Sequence, residues 1–110
     1  MNSPQQLVDQ LIKIFPEFSN DWDEGESYGY KGNYTYHCVF LEFTPVSHMI
    51  FSRATNDQIT DFCKLINRIV EMGGDIENAV STCFLEHASQ VGVRKIIAPY
   101  LSTEAKEELR

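Results

Sequence analysis

The amino-acid sequence predicts an all-α protein of about five to six short helices packed as antiparallel hairpins. Three observations support this. Apolar residues recur at offsets of three and four along several stretches, glycines and prolines separate these stretches, and the connections between most of them are short. The chain has 110 residues, of which 43% are hydrophobic and 23% are charged, which suits one domain with its own core. We therefore expect a single helical domain over residues 1–110.

The first helix is expected to begin at Ser3-Pro4, because serine caps helices and proline is tolerated in the first turn. It should end near Pro16. Its apolar face consists of Leu7, Val8, Leu11, Ile12 and Phe15.

Residues 34–43 are ambiguous between helix and strand. Their aromatic residues favour a strand, whereas apolar offsets of three and four continue as far as Phe51 and favour a helix. The helical pattern is the longer match, so we predict a helix that Pro45 kinks or divides. A strand at this position would instead make the fold α+β.

The second half of the chain shows regular helical spacing. One helix is predicted from Thr55-Asn56 to Gly73-Gly74. Asp75 is expected to cap another helix that closes near Gly92 and buries Cys83 and His87. A short apolar turn over 93–98 follows. Ser102 is expected to cap a last helix that is polar except for Leu109, and we expect this helix to fray.

The charge balance limits the classes of partner. Sixteen acidic and nine basic side chains give a formal net charge of -7, which disfavours binding to the phosphates of nucleic acid and favours a basic partner. The alternative is that the charge only keeps a small domain soluble. No export signal and no apolar run of the roughly 18 residues that a membrane span needs is present, so we expect a cytoplasmic protein that does not bind membranes.

The candidate residues for metal binding or catalysis form no complete site. Cys38, Cys63 and Cys83 lie in apolar stretches and are predicted to be buried thiols. Cys83 and His87 are four residues apart, yet no further pair completes four zinc ligands, so a core thiol and a core histidine are favoured. No nucleophile elbow, phosphate-binding loop or dinucleotide motif occurs. We therefore expect no enzyme activity, catalytic residue, metal or cofactor.

Residues 16–35 form a predicted flexible loop that is rich in acidic and aromatic side chains. Aromatic residues with a polar tip often dominate protein interfaces, and carboxylates attract a basic partner and pair with its Arg and Lys. The candidate partner-binding residues are Asp21, Trp22, Asp23, Glu24, Glu26, Tyr28 and Tyr30. The alternative is that the aromatic residues pack on the core while the acids merely solvate the loop.

Two functions fit a small acidic binding protein. An inhibitor of a cationic nuclease would place its carboxylates where the nuclease binds the phosphates of nucleic acid. A helical adaptor or regulatory module would instead bind a basic protein or peptide unrelated to toxins.

Two segments carry a resemblance to a known family. They are His37 to Phe43 (HCVFLEF), and Glu77 to Val80 with Phe84 to His87. Together with the helix and glycine turn between them, they resemble a widespread bacterial family of uncharacterised small helical domains over residues 36–90. Some members resemble immunity proteins of contact-dependent and other polymorphic toxin systems. The resemblance thus implies an all-helical immunity protein that blocks a toxin; it supplies no catalytic residue and does not reach the acidic loop.

Overall fold

The computed structural model describes residues 1–110 and contains six α-helices and no β-strand, which confirms the all-α prediction. The helices are α1 (Pro4–Ile14), α2 (Tyr36–Ser52), α3 (Asn56–Met72), α4 (Gly74–Cys83), α5 (Arg94–Ile97) and α6 (Thr103–Glu107). Four 3-10 turns connect them, at Pro16–Asn20, Glu26–Tyr28, Leu85–His87 and Ala98–Tyr100. Helix α2 packs against α1 and α4, and α3 packs against α1, α4 and α6.

Phenylalanine side chains from different elements meet in the centre of the core. The Phe43 ring of α2 lies 5.5 Å from the ring of Phe62 of α3 and 6.0 Å from the ring of Phe84, measured between centroids. Phe15, which follows α1, lies 5.8 Å from Phe62. All four side chains are buried. Because each long helix contributes to this cluster or contacts it, the cluster joins the two halves of the chain.

Residues 36–43 of the ambiguous stretch form the start of α2, and residues 34–35 precede it, so the prediction of a helix is confirmed. Thr35 caps the helix, since its hydroxyl oxygen accepts a hydrogen bond from the Cys38 N–H at 3.3 Å. The helix continues through Pro45 without dividing. Proline lacks the N–H that would bond the carbonyl four residues earlier, which here is Leu41. The Tyr28 hydroxyl donates to this carbonyl at 3.2 Å instead.

Removal of that hydroxyl by Tyr28→Phe is expected to lower the free energy of unfolding by about 0.5–1.5 kcal/mol, the usual net value of one hydrogen bond. Tyr100→Phe is the control, because Tyr100 is similarly exposed and its hydroxyl makes no hydrogen bond. In a Pro45→Ala background the new N–H can bond Leu41, so Tyr28→Phe should then have almost no effect. Urea unfolding of the four variants measures this, and an equal loss in both backgrounds would contradict the role of Tyr28.

The helix after the Gly73-Gly74 turn differs from the prediction in two respects. Asp75 is not its cap: the N-cap is Gly73, without any side-chain cap hydrogen bond. Both glycines have positive φ values, so the chain reverses and enters α4 directly. The helix also ends at Cys83 rather than near Gly92. Phe84 leaves the helical conformation and buries its ring in the core.

The C-terminal segment is held against the domain, so the prediction that it frays is wrong. Ser102 caps α6 as expected, accepting from the Ala105 N–H at 3.2 Å. The Arg110 N–H donates to the Leu85 carbonyl at 2.9 Å, and the Arg110 carbonyl accepts from the Ser89 N–H at 2.8 Å. Leu109 is buried. Two buried apolar residues, Ala105 and Leu109, and two backbone bonds thus hold a segment that looks polar by sequence.

Candidate partner-binding site in the acidic loop

The acidic loop, residues 16–35, is anchored to α2 by the carboxylate of Glu42. The N–H of Asp23 donates to Glu42 Oε1 and the N–H of Gly25 donates to Oε2, each at 2.8 Å. Glu42 is only 8% exposed, so these bonds satisfy a buried carboxyl group. The prediction of a flexible loop is therefore wrong, because two 3-10 turns and this anchor give the segment a defined conformation.

Gly25 is buried where the loop packs against α2. Its φ is +79°, and a Cβ atom at this position would lie 2.8 Å from Cys38 Sγ and 2.9 Å from Tyr30 Cβ. Both the conformation and the space therefore favour glycine. Cys38 Sγ lies 3.6 Å from Glu42 Oε2. Burial, with the nearby Glu42 carboxyl, raises the pKa of the Cys38 thiol to about 12, which leaves it protonated and a poor nucleophile.

Asp23 has a structural part in the loop. Its Oδ2 atom accepts hydrogen bonds from the N–H and the hydroxyl of Ser27. The Ser27 hydroxyl is the main cause that lowers the pKa of Asp23 below its ordinary value. Its other oxygen, Oδ1, is buried without a partner. Burial raises the pKa of neighbouring Glu42, and the Asp23 carboxyl adds to this effect while the two N–H bonds oppose it.

The aromatic residues of the loop divide between the core and the surface. Trp22 is half-buried and meets Tyr34 edge to face, with ring centroids 4.8 Å apart. The Tyr34 hydroxyl donates to Gln5 of α1, which ties the loop to the first helix. Tyr30 is half-buried and packs over Gly25, whereas Tyr28 is 48% exposed. Packing on the core, the alternative role for these aromatic residues, thus accounts for part of the Trp22 side chain, whereas Tyr30 packs within the loop.

Four of the seven candidate residues line one cavity of about 590 Å³, which we call the acidic pocket. They are Trp22, Asp23, Glu24 and Glu26, and Lys31 and Gly32 complete the lining. The other three, Asp21, Tyr28 and Tyr30, lie outside it. Asp21 is exposed and directly follows the first 3-10 turn. Glu24 and Glu26 are exposed, whereas the Asp23 carboxylate is already bonded to Ser27. The pocket therefore offers two free carboxylates and one indole against a single lysine.

A family model matches residues 8–110, which is nearly the whole chain including the acidic loop. The chain belongs to the family described as Domain of unknown function (DUF7674). This match is wider than the stretch 36–90 that carried the sequence resemblance. Neither the comparison with curated proteins nor that with solved structures found a match. None of the helices in this DUF7674 domain is sufficiently long and apolar to cross a bilayer.

The cysteine and histidine residues of the DUF7674 domain are spread over the fold. Cys38 and Cys63 are buried as predicted, whereas Cys83 is only half-buried. His87 is exposed, and its Nδ1 lies 2.9 Å from Gln90 Oε1, so the prediction of a core histidine is wrong. The physical reason is the early end of α4, which changes the direction of every side chain after Cys83. No group of three His, Cys, Asp or Glu side chains is placed to hold a metal ion.

Glu42 anchors this site but was not among the seven candidate partner-binding residues. It lies within an apolar run of α2, where a charged side chain is unusual. A charged residue between buried neighbours was the only signal for it.

Proposed function

We propose that this domain is a protein-binding module that receives a cationic partner at the acidic pocket. The observation that carries the proposal is the lining of that pocket, to which the exposed Glu24 and Glu26 contribute beside Trp22. Carboxylates pair with Arg and Lys of a partner, and an indole face attracts the same cations. The net charge of -7 would attract a basic partner over a longer distance.

The anchored loop supports binding in a second way. A flexible loop loses conformational entropy when a partner orders it, and this cost reduces affinity. Here the Glu42 carboxylate, the Asp23–Ser27 bonds and the Trp22–Tyr34 contact already hold the loop. The pocket is consequently preorganised before the partner arrives.

The specific role that we propose is that of an immunity-type inhibitor of a cationic nuclease toxin. A nuclease needs a basic active-site region to hold nucleic acid. The carboxylates of the pocket would occupy the phosphate-binding positions of that region. Residues 36–90 resemble a family of small helical domains, some members of which resemble immunity proteins, and this supports the same role. Such an inhibitor would act in the cytoplasm, where its three free cysteines remain reduced.

A pull-down from native cell lysate tests the proposal. The loop variant carries Asp21→Asn, Glu24→Gln and Glu26→Gln, and omits Asp23 because that carboxylate holds Ser27. A matched control removes the same three charges at exposed positions of α3 and α6, with Asp57→Asn, Glu71→Gln and Glu104→Gln. We expect the wild type and the control to capture the same basic protein and the loop variant to lose it.

The identity of the captured protein separates the two functions. A nuclease whose activity the domain abolishes would support the inhibitor, and a regulatory protein that remains active in the complex would support an adaptor. Equal capture by the loop variant and the control would show that the acidic pocket is not the contact surface.

A further inference from the structure

A groove between α1 and α3 is the largest cavity of the molecule, with a volume of about 790 Å³. It shares no lining residue with the acidic pocket. Seven of its nine lining residues have polar or charged side chains, and Ile14 and Pro16 are the apolar ones. Such a lining differs from that of an ordinary small-molecule pocket, which is mostly apolar.

The groove has a local excess of basic side chains although the net charge of the chain is -7. Three of the nine basic residues, Lys13, Lys64 and Arg68, line it together with one acid, Asp61. All three basic side chains are exposed, and none lies within 4.0 Å of a carboxylate, since the one ion pair of the domain joins Arg53 and Glu17. In this respect they are like the other Lys and Arg residues apart from Arg53. An anionic group in this groove would meet them without having to displace an internal partner.

The walls of the groove are rigid. Gln58 Nε2 donates to the Ile14 carbonyl at 3.0 Å, and the Gln58 side chain also completes the cap of α3 with Thr55. Asn67 Oδ1 accepts from the Ser102 N–H at 2.8 Å. These amides join α1, α3 and the segment before α6, so the spacing of the cations does not depend on a mobile loop.

A second cavity of about 420 Å³ continues the groove along α1 toward the N-terminus. Gln10 and Arg68 line both cavities. Gln10 is half-buried and makes no side-chain hydrogen bond within the domain, so its amide is available to a peptide backbone. At the far end lie Met1 and Met72, and Met72 is 49% exposed. The groove thus has a basic end, an amide in the middle and an apolar end.

We propose that this groove binds an acidic peptide segment of a second protein partner. Carboxylates of the segment would meet Lys13, Lys64 and Arg68, and an apolar side chain would cover Met72. A short peptide fits better than nucleic acid, because it can place a few carboxylates opposite these three cations, whereas a regular series of phosphates would also meet Asp9 and Asp61. The domain then has two binding surfaces of opposite charge.

Fluorescence anisotropy with a labelled hexapeptide, Glu-Glu-Leu-Glu-Glu-Leu, tests this inference. A peptide with Gln in place of each Glu is the ligand control. The groove variant carries Lys64→Glu and Arg68→Glu, and the matched variant carries Lys106→Glu and Arg94→Glu, at exposed positions outside the groove. We expect the groove variant to bind the acidic peptide more weakly by on the order of tenfold, and the matched variant to bind like the wild type apart from a small change in long-range attraction.

Other results would overturn the inference. Absence of binding at millimolar peptide, equal weakening in both variants, or equal binding of the Gln peptide would each do so. Tighter binding of a single-stranded RNA oligonucleotide that also depends on Lys64 and Arg68 would assign the groove to nucleic acid instead. Circular dichroism of both variants ensures that a loss of binding is not a loss of fold.

Discussion

Phe43→Ala is expected to lower the free energy of unfolding by roughly 3–5 kcal/mol, the range for removal of a large buried aromatic side chain. The Phe43 side chain is fully buried, and its ring contacts those of Phe15, Phe18, Phe51, Phe62 and Phe84. These neighbours come from several elements that other contacts hold in place, so the cavity cannot close fully. Urea unfolding followed by circular dichroism measures the loss.

Met49→Ala is the control for this experiment, because Met49 lies on the same helix and is 57% exposed. Its change should stay within about 0.5 kcal/mol, as for most surface substitutions. A loss of less than about 1 kcal/mol for Phe43→Ala would indicate that the core repacks freely, contrary to the packing described above.

Glu42→Ala is expected to release the acidic loop. The substitution leaves the N–H groups of Asp23 and Gly25 without their acceptor, and loss of a buried hydrogen-bond partner costs about 1–3 kcal/mol. We expect the loop to open so that water can reach these groups. Hydrogen exchange at Asp23 and Gly25 should become much faster, and capture of the cationic partner should weaken although no carboxylate of the partner-binding set has changed.

Glu71→Ala is the control, since it removes a glutamate from an exposed position of α3. Unchanged exchange at Asp23 and Gly25 in Glu42→Ala would show that the loop holds its conformation without the anchor. If hydrogen exchange becomes faster but the partner is still captured, Glu42 anchors the loop without affecting binding. Preorganisation would then contribute little to binding.

The stabilisation by Glu42 should also depend on pH in a defined direction. Burial raises the pKa of Glu42 above its ordinary value of 4.5, so the folded domain holds this proton more tightly than the unfolded chain. Protonation of Glu42 therefore contributes to the free energy of unfolding. This contribution is fully present below pH 4.5 and is lost as the pH rises through the folded-state pKa. The wild type should therefore lose part of its advantage in free energy of unfolding over Glu42→Ala as the pH rises through that range. Unfolding experiments at a series of pH values measure this.

The candidate site could be predicted from the sequence only in part. The high content of acidic and aromatic residues over residues 16–35 is evident from the sequence, and four of the seven candidate residues do share a pocket. The sequence does not reveal that Asp23 is used within the loop, because its partner Ser27 is one polar residue among many there. Nor does it show the basic groove, whose Lys13 and Lys64 lie on helices far apart in the chain.

The sequence by itself determined the all-α fold, the caps at Ser3, Thr55 and Ser102, and the course of α1 and α3. These features follow from neighbours three or four residues apart, which a helix brings together wherever it lies in the fold. Only the tertiary structure decided the early end of α4, the attachment of the C-terminus and the anchoring of the acidic loop. Each depends on partners distant in sequence, such as Gly25 and Glu42, which are 17 residues apart, and no local pattern specifies such a pair before the helices have packed.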